Sequence, residues 1–179
     1  VCSSDLGDAQ WVLNQPNVKV IVDDGRRFLK RTREKFDVIV IDPPPPVESA
    51  STSLLYSKEF NKIVAGRLNE GGIFQQWFPF GEEKFFQAIL RSLTEVFPYV
   101  RIYKSLKGWG FHLLASMKPF ETPQVEEMLS RLPALAKRDL MEWEKQMDIR
   151  SFLNQTLKRE IPVDTLLNQK DDSIYISDD

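Results

Sequence analysis

Residues 36–46 read Phe36-Asp37-Val38-Ile39-Val40-Ile41-Asp42-Pro43-Pro44-Pro45-Pro46. The apolar, β-branched run predicts a buried strand that ends in one carboxylate, Asp42. Four prolines come next, and because proline removes a backbone donor and fixes φ, the strand cannot continue. In open parallel α/β sheets, ligands bind outside the carboxyl ends of the strands. Asp42 is therefore the first candidate for a residue that faces a ligand; the alternative is an acid that closes a strand before a rigid surface loop.

Composition predicts one globular unit and gives little reason to expect a nucleic-acid partner. The chain has 179 residues, 42% of them hydrophobic, and a formal net charge of -2. A local basic run between Arg26 and Lys35 is interpreted as a solvated helix face. The single cysteine, Cys2, cannot form an intrachain disulfide, which fits a reducing compartment. With one histidine and one cysteine the sequence predicts no metal site.

We expect a cytoplasmic protein with no membrane contact from this chain. No apolar stretch approaches the roughly 20 residues that a helix needs to cross a bilayer. Residues 1–6 fit poorly with the pattern of the rest of the chain and are expected to be a non-native scar. Both ends look cut, so we expect a fragment of a longer protein.

The order of apolar patterns predicts an α/β fold. Strands alternate with amphipathic helices, an arrangement typical of right-handed crossovers in a largely parallel sheet. The predicted strands are 18–22, 37–41 and 73–78, and the predicted helices are 26–33, 53–68 and 82–96. Two further strands, 100–103 and 111–115, are separated only by a short loop with Gly108-Trp109-Gly110, which predicts an antiparallel hairpin. Residues 118–170 are polar, are broken by prolines, and are expected to form a peripheral helical appendage.

Four motifs in order resemble the polyamine aminopropyltransferases, the spermidine synthase family. They are Val20-Ile21-Val22-Asp23-Asp24-Gly25, Phe36 to Asp42, Glu70-Gly71-Gly72-Ile73 and Gly108-Trp109-Gly110-Phe111. The resemblance covers residues 17–117, and the closing Ile176-Ser177-Asp178-Asp179 is similar to a C-terminal element of the family. It implies a Rossmann-like, class I methyltransferase fold, mostly parallel, with an antiparallel C-terminal hairpin and its first strands missing. Residues 7–117 would be a truncated catalytic domain and 118–179 its helical extension.

The resemblance implies transfer of an aminopropyl group to a polyamine amine, normally putrescine. Decarboxylated S-adenosylmethionine would be the co-substrate. An amine with a pKa near that of lysine is protonated at neutral pH, so a carboxylate must take or direct its proton. Asp42 matches the proton acceptor proposed for the family.

The same resemblance supplies further site residues. Asp24 matches an acid that accepts a hydrogen bond from the adenine amino group, and Gly25 would let the backbone approach the ring. Asp23 and Pro43 are expected in the same cofactor site, and Tyr56, Trp77 and Glu48 in the substrate pocket. The alternative for Asp24 is an N-cap of the helix after it.

The sequence also departs from the family pattern. Pro45 stands where the family's acidic loop usually has a second acid that helps to hold the cationic substrate. Trp77, Phe78 and Pro79 lie after the next strand where Gln is common, which predicts a more apolar pocket. Glu48 would replace the lost carboxylate or would be solvated surface. The family's glycine-rich cofactor loop has no counterpart here, so we expect the fragment alone to be inactive; the full-length protein is a possible homodimer.

Two other functions stay open. Asp42-Pro43-Pro44 is similar to the acid-Pro-Pro loop of S-adenosylmethionine-dependent amino-methyltransferases, although Pro45 stands where those loops have an aromatic residue. Alternatively, the domain is a catalytically inactive binding module, with Trp77, Phe78 and Phe80 as a partner-binding patch. His112 is interpreted as a structural histidine, far in sequence from Asp42.

Overall fold

The computed structural model describes residues 11–43, 49–79, 81–106, 108–121, 123–142, 144–167 and 176–178, with backbone only at 50 and 51. The chain groups into two compact units, Val1–Thr32 and Arg33–Asp179.

The first unit contains a helical turn at residues 11–13 and helix α1, Gly25–Arg31. Asp24 caps α1, and the basic residues Lys30 and Arg31 lie in its last turn, where they complement the helix dipole. Arg27, Lys30 and Arg31 are exposed, which confirms a solvated basic helix face.

The strand predicted at 18–22 is wrong. These residues have no strand assignment, Val20 is 59% exposed and Val22 is 100% exposed. A β-branched run forms a strand only where a neighbouring strand pairs with it and a face is buried. No strand in the described part of the chain pairs with residues 18–22.

The second unit is built on a mixed sheet. Its described strands are β1 Phe36–Ile41, β2 Leu68–Phe78, β3 Tyr99–Lys104, β4 Phe111–Ser116 and β5 Glu160–Ile161. They lie in the order β1-β2-β4-β3-β5. β1 and β2 are parallel, and the other three pairs are antiparallel. The predicted hairpin is confirmed as β3 and β4, and its second strand, β4, lies against β2.

The helices of the second unit are numbered in chain order. They are α2 Ala50–Ser53, a 3-10 turn Leu54–Tyr56, α3 Lys58–Ala65, α4 Glu83–Thr94, α5 Val125–Arg131, α6 Ala134–Glu142, α7 Ile149–Leu157 and α8 Val163–Leu166. Helices α5, α6 and α8 begin within two residues after Pro123, Pro133 and Pro162, as the prolines predict.

The single helix predicted over 53–68 is divided at Ser57. Ser57 has extended dihedral angles, and its hydroxyl accepts a hydrogen bond from the Phe60 N–H at 3.1 Å, so α3 starts anew there. Helix α3 ends at Ala65 with Gly66 as its C-cap, and Gly71 and Gly72 lie inside β2. A Cβ at Gly72 would lie 3.1 Å from the Phe36 carbonyl oxygen, which explains a glycine where β2 meets β1.

Helices α3 and α4 cover one face of the sheet. Phe60 of α3 contacts Phe74 edge to face, and Phe86 of α4 stacks on Phe78 at 4.9 Å between ring centroids. Because strand side chains alternate between faces, Phe74, Gln76 and Phe78 are buried beneath these helices. Gln75 and Trp77 are half-buried on the opposite face, which we call the open face.

The C-terminal extension contributes a strand as well as helices. β5 pairs with β3 through Ile102 and Ile161, and the Glu160 carboxylate accepts a hydrogen bond from Arg101 Nε at 2.6 Å. The extension is helical over α5 to α8, as the sequence predicts, and two residues after α7 also join the sheet. Every described helix is too short or too polar to cross a lipid bilayer.

Candidate functional site

Asp42 lies at the carboxyl end of β1. It comes directly after Ile41, which is level with Gln76 of the parallel strand β2, so one further step brings Asp42 level with Trp77. Asp42 is exposed, whereas the next residue, Pro43, is buried. The buried proline fixes where the chain leaves the sheet and leaves the carboxylate in solvent at the strand end.

Two hydrogen bonds hold Trp77 in place, one from its indole and one to its backbone carbonyl. Its indole N–H donates to the Trp109 carbonyl at 3.3 Å, and its own carbonyl accepts a hydrogen bond from the Tyr56 hydroxyl at 2.8 Å. Tyr56 is completely buried and contacts Phe78 and Phe85 edge to face. The expectation that the Tyr56 ring lines a substrate pocket is not met in the described chain, since Tyr56 belongs to the core and supports the Trp77 backbone.

The hairpin loop closes over the end of β2 because Gly110 has no side chain. Gly110 has φ +81°, and a Cβ there would lie 2.1 Å from the Phe78 carbonyl oxygen. Gly108 also has positive φ, and its N–H donates to the Ser105 carbonyl at 2.9 Å. The Gly-Trp-Gly-Phe motif therefore places Trp109, whose side chain is 72% exposed, beside the end of β2.

His112 lies on the open face, at the same end of the sheet as Asp42. It pairs with Trp77 across β2 and β4, and its Nδ1 lies 3.2 Å from Gln75 Nε2. Burial lowers the pKa of His112, and the charge of the Asp42 carboxylate opposes that by raising it. The sequence interpretation treats His112 as a structural residue far in sequence from Asp42. The register of β4 against β2 is the observation that brings both residues to the same end of the sheet.

The expected cofactor residues of the first unit lie at the start of α1. Asp24 Oδ1 accepts the Arg27 N–H at 2.7 Å, so Asp24 is the N-cap of α1. Asp23 forms ion pairs with Arg27 and Arg31, and its hydrogen bond from the Arg27 side chain lowers the pKa of Asp23. A Cβ at Gly25 would meet nothing within 4 Å, so the chain itself does not require glycine there.

Several residues expected in the site lie outside the described part of the chain. Glu48 and Pro44–Pro46 lie outside the described residues, as does Phe80. Phe78, a member of the patch considered for partner binding, is buried in the core, so it does not belong to a surface patch. Among the described residues, no three His, Cys, Asp or Glu side chains are grouped so that they could hold a metal ion.

The family model of the spermine/spermidine synthase domain matches residues 1–108, more than half of the chain. The chain belongs to the spermine/spermidine synthase family. The match includes the Asp23-Asp24-Gly25 turn, the β1 strand with Asp42, and the start of the Gly-Trp-Gly-Phe motif. The resemblance read from the sequence is thereby confirmed.

A curated relative in this family is the polyamine aminopropyltransferase of Sulfurisphaera tokodaii. It is 27% identical over 172 residues, which cover 89% of this chain and 56% of the relative. The chain spans about half the length of such curated relatives.

Two solved structures share the fold. Spermidine synthase in complex with the transition state analogue AdoDATO has a TM-score of 0.54 and 20% identity, covering 74% of this chain and 54% of that chain. Human methyltransferase-like protein 13 in complex with SAH has a TM-score of 0.55 and 17% identity, covering 90% of this chain and 68% of that chain. At these identities the likeness shows the fold, and it confirms the Rossmann-like, class I methyltransferase-type architecture.

This chain of the spermine/spermidine synthase family thus presents one exposed carboxylate at the end of a parallel strand, level with Trp77 and at the same end of the sheet as His112. A carboxylate in that position can accept a proton from an ammonium group. The indole offers an aromatic face, which attracts cations. The arrangement suits a cationic nitrogen that must become a nucleophile.

Proposed function

We propose that the protein carrying this chain transfers an aminopropyl group from decarboxylated S-adenosylmethionine to an amine of a putrescine-like polyamine. The observation that carries the proposal is the position of Asp42, exposed at the carboxyl end of β1 and level with Trp77, in a chain of the spermine/spermidine synthase family. The names of the relatives, polyamine aminopropyltransferase and spermidine synthase, support the same reaction class.

Asp42 would act on the acceptor amine. At neutral pH an alkylamine carries a proton, because its pKa is about 10. The Asp42 carboxylate accepts that proton, and the freed nitrogen lone pair attacks the aminopropyl carbon bonded to the sulfonium. A carbon–nitrogen bond forms, the carbon–sulfur bond breaks with its electron pair going to sulfur, and a neutral thioether leaves. Positioning of the two reactants supplies a large part of the rate.

Asp23, Asp24, Gly25 and Pro43 would serve the nucleoside end of the donor. Asp24 uses Oδ1 to cap α1, so a hydrogen bond from the adenine amino group would fall on Oδ2. The pairing of Asp23 with Arg27 and Arg31 keeps that carboxylate ionised and fixes the turn before α1. Trp77 and Glu48 would contact the acceptor amine, with Tyr56 holding the Trp77 backbone from the core.

Replacing the proposed proton acceptor tests the reaction. In the full-length protein we expect Asp42→Asn to lower kcat by roughly 10²–10⁴-fold with donor affinity nearly unchanged, because the amide cannot accept the proton. Asp37→Asn is the matched control, since Asp37 is an exposed acid at the other end of β1 and accepts a hydrogen bond from Asn69. Full activity in Asp42→Asn would show that another group takes the proton.

Donor choice separates the proposal from its alternatives. Calorimetric titration of the full-length protein with decarboxylated S-adenosylmethionine, and separately with S-adenosylmethionine, gives three outcomes. Preference for the decarboxylated donor supports aminopropyl transfer. Preference for the intact donor supports a methyltransferase, which the Asp42-Pro43-Pro44 sequence also suits. Binding of neither supports an inactive binding module of the same fold.

The remaining proposals concern the whole protein. We propose a cytoplasmic protein and a possible homodimer, with residues 7–117 as its catalytic domain and 118–179 as an extension of that domain. The 179-residue chain by itself is expected to be inactive, because it contains no Gly-x-Gly-x-Gly cofactor loop. Donor titration of this chain alone, beside the full-length protein, tests that expectation directly.

A further inference from the structure

His112 contacts a polar side chain on the open face, that of Gln75. Its Nδ1 lies 3.2 Å from Gln75 Nε2, and an amide nitrogen is only a donor. With Gln75 Nε2 as the donor of this contact, Nδ1 accepts and the imidazole proton lies on Nε2. An imidazolium would carry a proton on Nδ1 as well, directed at the amide N–H₂ of Gln75. The contact with Gln75 thus favours the neutral ring with Nε2–H as donor.

The charged groups around His112 differ in how they are paired. On β3, Tyr103 is level with His112 and donates its hydroxyl hydrogen to Glu160 at 3.3 Å. Burial raises the pKa of Tyr103, so its hydroxyl stays neutral. Glu160 is held by Arg101, which neutralises it. On β2 the neighbours are the uncharged side chains of Gln75 and Trp77.

Asp42 completes the set from the β1 side. It lies one step beyond the registered pair Ile41 and Gln76, level with Trp77, and Trp77 is in turn level with His112. The three residues therefore form a row across the end of the sheet. Trp77 lies between Asp42 and His112 in this row, and the negative charge of Asp42 raises the pKa of His112 against the larger effect of burial.

We propose that His112 sets the charge at this end of the open face: its neutral ring, with Nδ1 on Gln75, leaves the negative charge of Asp42 to attract the acceptor ammonium, and on acidification it becomes a cation that repels the ammonium. The proposal rests on aminopropyl transfer as the function of the site. It assigns a role to a histidine that the reaction scheme above does not use.

The proposal predicts an acidic limb in the pH profile. Burial lowers the pKa of His112 from its usual 6.5, and the opposing effect of Asp42 is the smaller one. The ring is therefore neutral at pH 7, and the limb lies below pH 6.5. In wild-type protein, kcat/KM should fall as His112 becomes protonated.

The first test follows the imidazole itself by NMR titration of histidine-labelled protein. His112 is the single histidine of these 179 residues, and a His112→Gln variant assigns its signal in the full-length protein. We expect Asp42→Asn to shift the His112 titration to lower pH, because the carboxylate that favours the imidazolium is gone. Gln75→Glu should shift it to higher pH, because a carboxylate accepts from Nδ1–H. Gln124→Glu, which adds the same charge at the exposed start of α5, should shift nothing.

The second test is the pH dependence of kcat/KM in the full-length protein. His112→Gln should remove the acidic limb and change kcat/KM at pH 7 far less than the roughly 10²–10⁴-fold expected on loss of a general base. Gln75→Glu should move the limb to higher pH in parallel with the NMR titration.

The two readouts separate the two proposals. If the pH of the His112 titration changes in neither Asp42→Asn nor Gln75→Glu, the role proposed for His112 is wrong, whatever the activity. An unchanged acidic limb in His112→Gln leads to the same conclusion. Absence of aminopropyl transfer in the wild type overturns the proposed function, and the NMR shifts then still decide whether His112 and Asp42 are coupled.

Discussion

Gly110 shows how one residue shapes the end of β2. Its φ of +81° is strained for any residue with a side chain, and the Phe78 carbonyl occupies the space of a Cβ. Gly108, two residues earlier, has a similar φ of +76° and open space around it. The two glycines of one motif thus meet different demands, and only Gly110 combines backbone strain with close contact.

Replacing each glycine by alanine separates these two effects. We expect Gly108→Ala to cost about 1 kcal/mol of unfolding free energy through left-handed strain alone. Gly110→Ala should cost about 3 kcal/mol or more, because the backbone at Phe78 must also move. Urea denaturation of both variants measures the difference. Equal costs would show that the close contact with Phe78 is relieved without effect.

His112 predicts a pH dependence of stability. Its pKa is lowered in the folded state, so between that value and 6.5 the unfolded chain binds more protons. The free energy of unfolding should therefore rise with pH through this window and lose its His112 contribution as pH falls through the folded pKa. Urea unfolding at a series of pH values measures the slope, and His112→Gln should flatten it. An identical slope in both proteins would contradict the assignment.

At the scale of elements, the last described residues, 176–178, form hydrogen bonds with both α3 and α4. The Ile176 carbonyl accepts the Lys58 N–H at 2.9 Å, and the Ile176 N–H donates to Ser92 Oγ at 2.8 Å. The Ser57 hydroxyl donates to the Asp178 carboxylate at 2.8 Å. This segment therefore satisfies polar groups at the start of α3 and on α4.

Ser92 is the residue through which these contacts can be tested. It is fully buried, and Ser92→Ala would leave the Ile176 N–H without its acceptor, at a cost of about 1–3 kcal/mol. Ser130→Ala is the matched control, because Ser130 makes a similar helical hydrogen bond to Glu127 in an exposed position. Thermal unfolding and hydrogen exchange of the Ile176 amide report the change. Equal stability of the two variants would exclude an anchoring role for Ser92.

At the scale of the molecule, the sheet is covered unevenly. Helices α3 and α4 bury one face, whereas Val38 and Val40 of β1 are 56% and 59% exposed. In the described part of the chain, β1 is also the first strand of the sheet order, with β2 on one side only. Exposed valines on an edge strand favour self-association.

Lysine substitutions along β1 of the 179-residue chain measure the difference between its exposed and its buried side chains. Val40→Lys should change the unfolding free energy by no more than about 0.5 kcal/mol and should reduce self-association, since it adds charge to an exposed edge. Ile39→Lys should lower the unfolding free energy several-fold more than Val40→Lys. Ile39 is buried, and an ammonium group there would lose its water without gaining a partner. Urea denaturation and sedimentation distinguish the two. A large loss in Val40→Lys would mean that this face is covered in solution.

The sequence by itself determined the local elements and the family. The apolar run with its prolines specified β1 and the place of Asp42, amphipathic spacing specified α1 and α4, and the short Gly-rich loop specified the hairpin. These features depend on residues a few positions apart, where propensity, capping and turn chemistry act directly.

Only the tertiary structure decided which of these pieces meet. In the described part of the chain no strand pairs with residues 18–22 despite their β-branched run, Tyr56 enters the core, and Glu160 and Ile161 join the sheet. The row of Asp42, Trp77 and His112 arises from the register of three strands that are far apart in sequence. Register and burial are fixed by packing between distant segments, whose free energy no local pattern contains, and this is why only the register of β4 against β2 brings His112 to the same end of the sheet as Asp42.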